Sequence, residues 1–396
     1  MKRVSVIVLD GVGCGSCEDS YLYGDEGSNT LSHVAEAVPD LSLPNLASLG
    51  LGLIPDVSGI QRVSSPLGCY GRCKEKSPGK DTTTGHWELA GLILEKPFPV
   101  YPNGFPECIV RQLEEAFGRR ILGNIPASGT EIIARLGDEH VKTGCPIVYT
   151  SADSVLQIAA HESVIPLEQL YDYCEKARQI MQGDHAVARI IARPFTGTSG
   201  AYRRTANRRD YSLPPFAPTV LDKTSEAGYA VVGIGKIHDI FAGRGLTESV
   251  KTKNNLDGIQ QTLASLERPF SGLLMVNLVD FDMLYGHRND PFGFAAALME
   301  FDHYLPSIMA LLSPDELLLI TADHGCDPVF PGTDHTREYV PLLAYGPSLA
   351  RGVNLGTRDC FCDVAATIAD FLSLPDQMNG TSFWPQLAMP SEHAGT

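Results

Sequence analysis

Three aspartates and three histidines on this chain have the placement of a metal centre. Asp10 closes the apolar run at residues 4–9, Asp282 and His287 follow the run at 273–279, and Asp323 and His324 follow the run at 316–322. His335 stands in Thr333-Asp334-His335-Thr336-Arg337-Glu338, and it too is expected just past a strand. Carboxylates and imidazoles at the carboxyl ends of parallel strands sit where an open α/β sheet places its sites. Their mixed oxygen and nitrogen donors suit Mn, Zn or Mg better than soft metals. Any one of these Asp is by itself an ordinary helix cap or loop end, and any one His an ordinary core or surface residue. Recurrence at successive strand ends is what points to metals. Six ligands suffice for two divalent ions with positions open for substrate, which predicts a two-metal phosphoryl-transfer enzyme.

A nucleophile is sought in Gly79-Lys80-Asp81-Thr82-Thr83-Thr84-Gly85-His86-Trp87-Glu88. A threonine hydroxyl is almost never ionised at neutral pH. It becomes nucleophilic when a divalent cation stabilises its alkoxide, and a helix amino end nearby helps hold the transferred phosphate. The plainer account is that Asp81-Thr82-Thr83 caps a helix; the two are compatible, because a capping position faces the site. Chemistry alone leaves Thr82, Thr83 and Thr84 open. Phosphate also needs cationic donors. Arg189, Arg193, Arg203, Arg204, Arg208 and Arg209 crowd one stretch, and Lys236 follows a core strand. Arginine clusters are usually solvated surface, yet in a chain of net charge −16 this density is consistent with gripping a sugar phosphate.

The elements that must position these groups follow from periodicity. Strands are expected at residues 4–9, 229–234, 273–279, 317–321 and 340–345, and helices at 31–38, 258–266, 291–312 and 363–372. Such alternation argues for a mostly parallel sheet covered on both faces. Residues 96–213 differ in texture and are bounded by Pro97, Pro99 and Pro102 at one end and Pro214-Pro215 at the other. They are expected to form an inserted α/β cap with strands at 146–150 and 186–192 and helices at 108–117 and 167–181. The catalytic core is then discontinuous, residues 1–95 and 214–396. With 396 residues, 43% hydrophobic and 20% charged, the chain reads as a globular protein. Its negative charge argues against nucleic acid or an anionic membrane as partner, and no apolar run has spanning length. The start Met1-Lys2-Arg3 followed by an apolar run imitates a signal peptide, but the run is too short and meets Asp10. Ten scattered cysteines are then simplest as reduced thiols, with a cytoplasmic setting; Cys14-Gly15-Ser16-Cys17 and Cys360-Phe361-Cys362 are read as incidental.

Together these segments resemble the phosphopentomutase family of the alkaline phosphatase superfamily. The resemblance runs nearly end to end, through Leu9-Asp10-Gly11-Val12-Gly13, Lys80-Asp81-Thr82, Gly85-His86-Trp87-Glu88, Tyr149 to Val155, Ile191 to Phe195, Asp280-Phe281-Asp282, Gly286-His287-Arg288, Thr321 to Gly325 and Thr333 to Glu338. The Asp-His-Gly element is shared across the superfamily; Lys80-Asp81-Thr82 followed by Gly85-His86-Trp87-Glu88, with the Tyr149 to Val155 stretch, is the specific part. The resemblance implies an alkaline-phosphatase-like core and one Mn²⁺ on Asp282, His287 and His335. A second Mn²⁺ falls to Asp10, Asp323 and His324, other divalent metals being alternatives. It implies Thr82 as nucleophile and substrate contacts at Asp153, Arg189, Arg204 and Lys236. The implied activity interconverts ribose 1-phosphate and ribose 5-phosphate, and the deoxyribose pair, in nucleoside salvage. It runs through a phosphothreonine and a bisphosphate, with sugar bisphosphate as activator and no protein partner. A cap that excludes water would favour transfer over hydrolysis. The alternatives are a metal-dependent phosphatase or a phosphoglycerate mutase of the same superfamily, and a non-catalytic binding protein. One departure is Cys326, where a polar Asn is expected beside Asp323-His324-Gly325; a thiol there bears on metal choice and oxidation.

Overall fold

The computed structural model describes residues 1–151 and 153–388. Ala152, inside the Tyr149 to Val155 segment quoted above, lies outside the described residues. The chain divides into two compact units, Met1–Lys96 with Pro215–Thr396, and Pro97–Pro214. The first stretch holds β1 (Arg3–Leu9), α1 (Thr30–Ala37), α2 (Pro44–Leu49), β2 (Cys69–Cys73) and α3 (Thr82–Leu89). The insert holds α4 (Glu107–Phe117), β3 (Leu122–Pro126), α5 (Gly129–Thr143), β4 (Ile147–Thr150), β5 (Val155–His161), α6 (Leu167–Ile180), β6 (Arg189–Thr196), β7 (Arg203–Arg204) and β8 (Arg209–Ser212). The last stretch holds α7 (Val220–Glu226), β9 (Ala230–Ile234), α8 (Ile237–Ile240), β10 (Glu248–Val250), α9 (Asn255–Leu266), β11 (Gly272–Leu278) and α10 (Pro291–Ala310). After them come β12 (Glu316–Thr321), β13 (Val340–Tyr345), β14 (Asn354–Arg358), α11 (Cys362–Leu372) and α12 (Trp384–Leu387).

The larger unit is built on an eight-stranded sheet in the order β10-β9-β11-β1-β12-β13-β2-β14. From β10 to β12 every pairing is parallel, and β13 then runs antiparallel to both β12 and β2. The three central strands, β11, β1 and β12, are buried at every position. Strands hidden on both faces lose the alternating pattern and become the continuous Val, Ile and Leu runs seen in the sequence. Asp282, Asp10 and Asp323 follow these three neighbours in space, so their carboxyl ends open on one edge. His335 is a correction: it does not follow a strand but precedes β13. Because β13 runs the other way, its beginning lies at the edge where β12 ends, and His335 reaches the same place from the opposite direction.

The insert has a six-stranded sheet, β3-β4-β5-β6-β7 with β8 also on β6. Alternation splits its apolar side chains between two faces. Val148, Leu156, Ile158 and Ile190 pack with Ile109, Leu113 and Phe117 of α4 and with Leu170 and Tyr173 of α6. Ile147, Tyr149 and Phe195 pack with Ile132 and Ile133 of α5. α5 is capped by Ser128, whose Oγ accepts from Glu131 N at 3.2 Å. The strand expected at 186–192 instead begins at Arg189 and runs to Thr196.

Candidate active site

Asp10, Asp282 and Asp323 are buried at the sheet edge. Each turns one oxygen toward an imidazole. His324 Nε2 lies 3.3 Å from Asp10 Oδ1 and 3.4 Å from Asp323 Oδ2. His287 Nε2 and His335 Nε2 each lie 3.2 Å from Asp282 Oδ1. The His324 and His335 rings stand 4.1 Å apart between centroids, so the two groups adjoin. All six residues named from the sequence therefore come together. Asp10, Asp323 and His324 form one set whose donor atoms converge, and Asp282 with His324 and His335 another; Asp282 also converges with His287 and Cys326.

The arrangement fits cations on a specific observation. Asp10 Oδ1, Asp282 Oδ1 and Asp323 Oδ2 are buried and accept no hydrogen bond, although each is the oxygen nearest an imidazole nitrogen. The imidazole tautomers explain why. His324 Nδ1 is 3.0 Å from the Gly325 carbonyl and His287 Nδ1 is 2.7 Å from the Thr333 carbonyl, so the Nδ1 proton of each ring is directed there. That leaves the Nε2 atoms facing carboxylate oxygens, an arrangement that a cation between them, or a proton on the ring, reconciles. The electrostatics agree. Burial alone raises Asp282, but His335, with His324 and His287, holds its carboxyl well below the usual range. Burial disfavours a charged His324, yet Asp323 and Asp10 push its pKa well above the ordinary value. A pocket that draws a proton onto a fully buried histidine is a pocket short of positive charge.

The nucleophile segment meets this edge through α3. Asp81 caps the helix, its Oδ1 accepting from Thr83 N at 3.0 Å and Thr84 N at 3.1 Å. Thr84 is buried and donates to Asp81 Oδ2 at 2.5 Å. Thr82 Oγ1 instead stands 3.2 Å from His324 Nε2. α3 can come this close because Gly85 has no side chain: a Cβ there would sit 2.0 Å from the Asp323 carbonyl oxygen. Gly11, at φ +80°, makes the turn that lets its N–H donate to Asp323 Oδ1 at 3.1 Å.

Sequence reasoning named His86 only as part of a motif, yet it is a hub. Its Nδ1 is 2.9 Å from the Thr82 carbonyl and 3.0 Å from Asp323 Oδ2. One N–H serves the carbonyl, which leaves that carboxylate oxygen without a donor. Its Nε2 is 3.3 Å from Asn277 Nδ2, which also donates to Asp10 Oδ2 at 2.7 Å. Asn277 was not singled out at all; as the one polar residue late in the apolar β11 run, it was the available signal. Cys326 is buried between Gly11 and Gly286, and burial followed by Asp282 pushes its thiol well above the ordinary pKa.

The expected substrate contacts are more dispersed. Asp153 and Arg189 lie at adjoining strand ends, since Val155 pairs with Arg189 and Arg189 N donates to Ser154 O at 3.3 Å. Arg204 pairs with Phe195, six residues along β6 from Arg189 and so roughly 20 Å of strand away. Arg204 is instead near Tyr149: a Cβ on Gly129, at the start of α5, would lie 2.6 Å from Tyr149 Oη and 3.4 Å from Arg204 Nη1. Arg193 joins them, donating from Nε to Gln157 Oε1 at 2.9 Å. Tyr149 Oη is buried with no hydrogen-bond partner. Burial, then Arg208, lowers the Arg193 pKa. Arg208 is also held by Asp210 at 2.6 Å, while Arg209 stacks over Tyr171. Lys236 belongs to the larger unit, directly after β9.

Comparison with known proteins adds a family. Residues 2–376 match the model of the metalloenzyme superfamily. A protein of Carboxydothermus hydrogenoformans named phosphopentomutase is 62% identical over 387 residues, covering 98% of this chain and 100% of its own. One of Acetivibrio thermocellus with the same name is 61% identical over 383 residues, covering 97% and 99%. Among solved structures, a Pyrococcus horikoshii protein aligns with TM-score 0.50 at 16% identity, over 96% of this chain and 99% of its own. The phosphoglycerate mutase of Leishmania mexicana aligns with TM-score 0.50 at 12% identity, over 96% and 97%. At such identity these two speak for the fold alone, a mixed α/β arrangement flanked by helices.

Proposed function

Because the chain belongs to the phosphopentomutase family within the metalloenzyme superfamily, we propose that it interconverts (deoxy)ribose 1-phosphate and (deoxy)ribose 5-phosphate through a phosphorylated Thr82. Asp282, His287 and His335 would hold one divalent metal, and Asp10, Asp323 and His324 the other, with Mn²⁺ the expected ion. Bound there, divalent ions would supply charge stabilisation to phosphoryl oxygens and lower the pKa of a nearby hydroxyl. Phosphorylated Thr82 gives its phosphoryl group to the free hydroxyl of the bound monophosphate: the bond from phosphorus to Thr82 Oγ1 breaks and one to the sugar oxygen forms. The resulting bisphosphate turns over, and Thr82 Oγ1 takes the other phosphoryl group. The proton lost by the first sugar hydroxyl is regained at the second, so the cycle balances. A sugar bisphosphate primes Thr82.

The observation that supports this most directly is the position of Thr82 Oγ1, 3.2 Å from His324 Nε2 and beside two carboxylates with unmet oxygens. His86 steadies the Thr82 carbonyl, and Asn277 fixes the Asp10 carboxylate. Asp153, Arg189, Arg204 and Lys236 are assigned to the sugar phosphate. A cytoplasmic place in nucleoside salvage belongs to the same proposal, supported by ten cysteines that all stand as free thiols. Among the described residues no helix is long and apolar enough to cross a membrane.

The test is an assay with ribose 5-phosphate, Mn²⁺ and catalytic sugar bisphosphate, following ribose 1-phosphate and free phosphate together. Isomer far in excess of phosphate, lost in Thr82→Ala, is the expected result. Phosphate release without isomer would mean a phosphatase, and an unaffected Thr82→Ala would remove the nucleophile from the scheme.

A further inference from the structure

We propose that Arg337 and Glu88 are positioning residues for Thr82, gripping from two sides the loop that leads into α3. The loop, residues 75–79, connects β2 to the nucleophile helix. Its own backbone contributes the bond from Gly79 N to Ser77 O at 2.9 Å. Most of the rest is held by two buried charged side chains of opposite sign. Arg337 takes the carbonyls: Nη2 donates to Glu75 O at 2.7 Å, and Nη1 to Ser77 O at 2.8 Å and Gly79 O at 2.6 Å. Glu88 takes the amides: Oε1 accepts from Lys76 N at 2.8 Å and Oε2 from Ser77 N at 2.6 Å.

The grip ties the loop to both halves of the site. Arg337 lies two residues after His335, and Glu88 lies six residues after Thr82 in the helix that Thr82 begins. Two carboxylates fix the fork of Arg337: Asp19 at 2.9 Å and Glu75 at 2.7 Å. A second tie runs alongside. Arg337 N donates to Asp25 Oδ2 at 2.9 Å, Asp25 pairs with Lys80 at 3.1 Å, and Lys80 reaches Asp334 at 3.3 Å. The loop carrying a ligand histidine and the loop carrying the nucleophile are thus cross-tied at both ends of the same short stretch. A planar fork can serve three carbonyls and two carboxylates at once; an ammonium cannot. Burial with this many partners also stabilises the fold, so a purely structural role is the competing account.

The inference rests on Thr82 as nucleophile, and the experiment separates the two. Arg337→Lys keeps the charge and loses the fork; Glu88→Gln keeps the shape and replaces one acceptor oxygen with a donor. For each, melting temperature, metal content per chain, KM for ribose 5-phosphate and the single-turnover rate of Thr82 phosphorylation by sugar bisphosphate are measured. Displacing a reacting oxygen by about an ångström costs on the order of 100-fold. The expected result is therefore a fall of ~10–100-fold in phosphorylation rate and kcat, with both metals retained and KM within about twofold. Folded variants that phosphorylate Thr82 at the wild-type rate, or lose rate only in proportion to lost metal, would overturn the proposal. Should Arg337→Lys not fold, Glu88→Gln alone decides it. Wild-type protein that never takes label on Thr82 would instead overturn the nucleophile assignment.

Discussion

The sheet edge of the larger unit and the α5 end of the insert treat charge in opposite ways. At the sheet edge, buried acids stand 3.2 to 3.4 Å from imidazoles, and three carboxylate oxygens still have no donor. In the insert, Arg193 and Arg204 gather round the buried Tyr149 hydroxyl, with Arg208 close enough to lower the Arg193 pKa. The first place has an excess of acceptors, which suits the cations proposed for it; the second has an excess of donors, which suits the proposed anion. A chain of net charge −16 keeps these two deficits in separate sheets. The proposed chemistry falls to strand ends of one sheet, and the proposed recognition largely to arginines on β6 and β7 of the other.

The contrast breaks most readily at Asp323. Asp323→Asn is expected to lower turnover by ~10³-fold or more and to empty one metal position; metal analysis beside the coupled assay checks this, and full metal content would refute it. In the insert, Arg204→Gln should raise KM for ribose 5-phosphate by ~10–100-fold, the cost of a lost charged hydrogen bond. Metal content and kcat should stay near wild type; a changed kcat with unchanged KM would place Arg204 elsewhere in the reaction.

Glu338 sharpens the comparison, because it is a buried acid in the larger unit that lacks an imidazole partner. It accepts from Thr30 N at 2.9 Å, Gly15 N at 3.1 Å and Thr336 Oγ1 at 2.7 Å. Burial, then repulsion from Asp327, pushes its pKa up from 4.5 to about 7. A raised carboxyl takes up a proton on folding. Its stabilising contribution is therefore full below 4.5 and lost as pH rises through about 7, at up to ~1.4 kcal/mol per pH unit. Glu338→Gln should flatten that part of the profile, gaining on wild type between pH 5 and 8 in melting experiments. Parallel profiles would show that Glu338 is charged throughout. The smallest effect is expected from Tyr149→Phe, which deletes a buried hydroxyl that lies against Arg193 without a well-formed hydrogen bond. Stability should be unchanged or higher by ~1 kcal/mol, and a clear loss would reveal a partner for that hydroxyl in the free protein.

The three converging acids were legible because they follow apolar runs: Asp10 and Asp323 come within two residues of the ends of β1 and β12, and Asp282 lies in the helical turn Phe281–Tyr285 just past β11. Thr82 was not separable from Thr83 and Thr84 by chemistry, since only the helix phase turns one hydroxyl to His324 and another to Asp81. β2 and β5 were not anticipated. Cys69-Tyr70-Gly71-Arg72-Cys73 is short and carries Gly and Arg, while residues 155–161 end in Ala-Ala-His, so neither advertises a strand. α5 was missed for a related reason: Gly129, Gly137 and many charges dilute its apolar stripe to Ile132, Ile133, Leu136 and Val141. The grip of Arg337 on Ser77 joins positions 260 residues apart, which no local pattern records, and Glu88 reaches back to Ser77 and Lys76 across 11 and 12 residues that have no periodic spacing.

β1 lies between β11 and β12, pairing with Leu278 on one side and Thr321 on the other. On the ribosome this sets an order of events. β1 is made long before either neighbour, and through that wait its Val and Ile run is a liability for chaperones to cover. The insert, one unbroken stretch with apolar clusters of its own, has all its residues in hand long before. A nascent chain halted after Pro214 is therefore expected to resist protease across residues 97–214 and to be cut within residues 1–96, whereas release of the finished chain protects both.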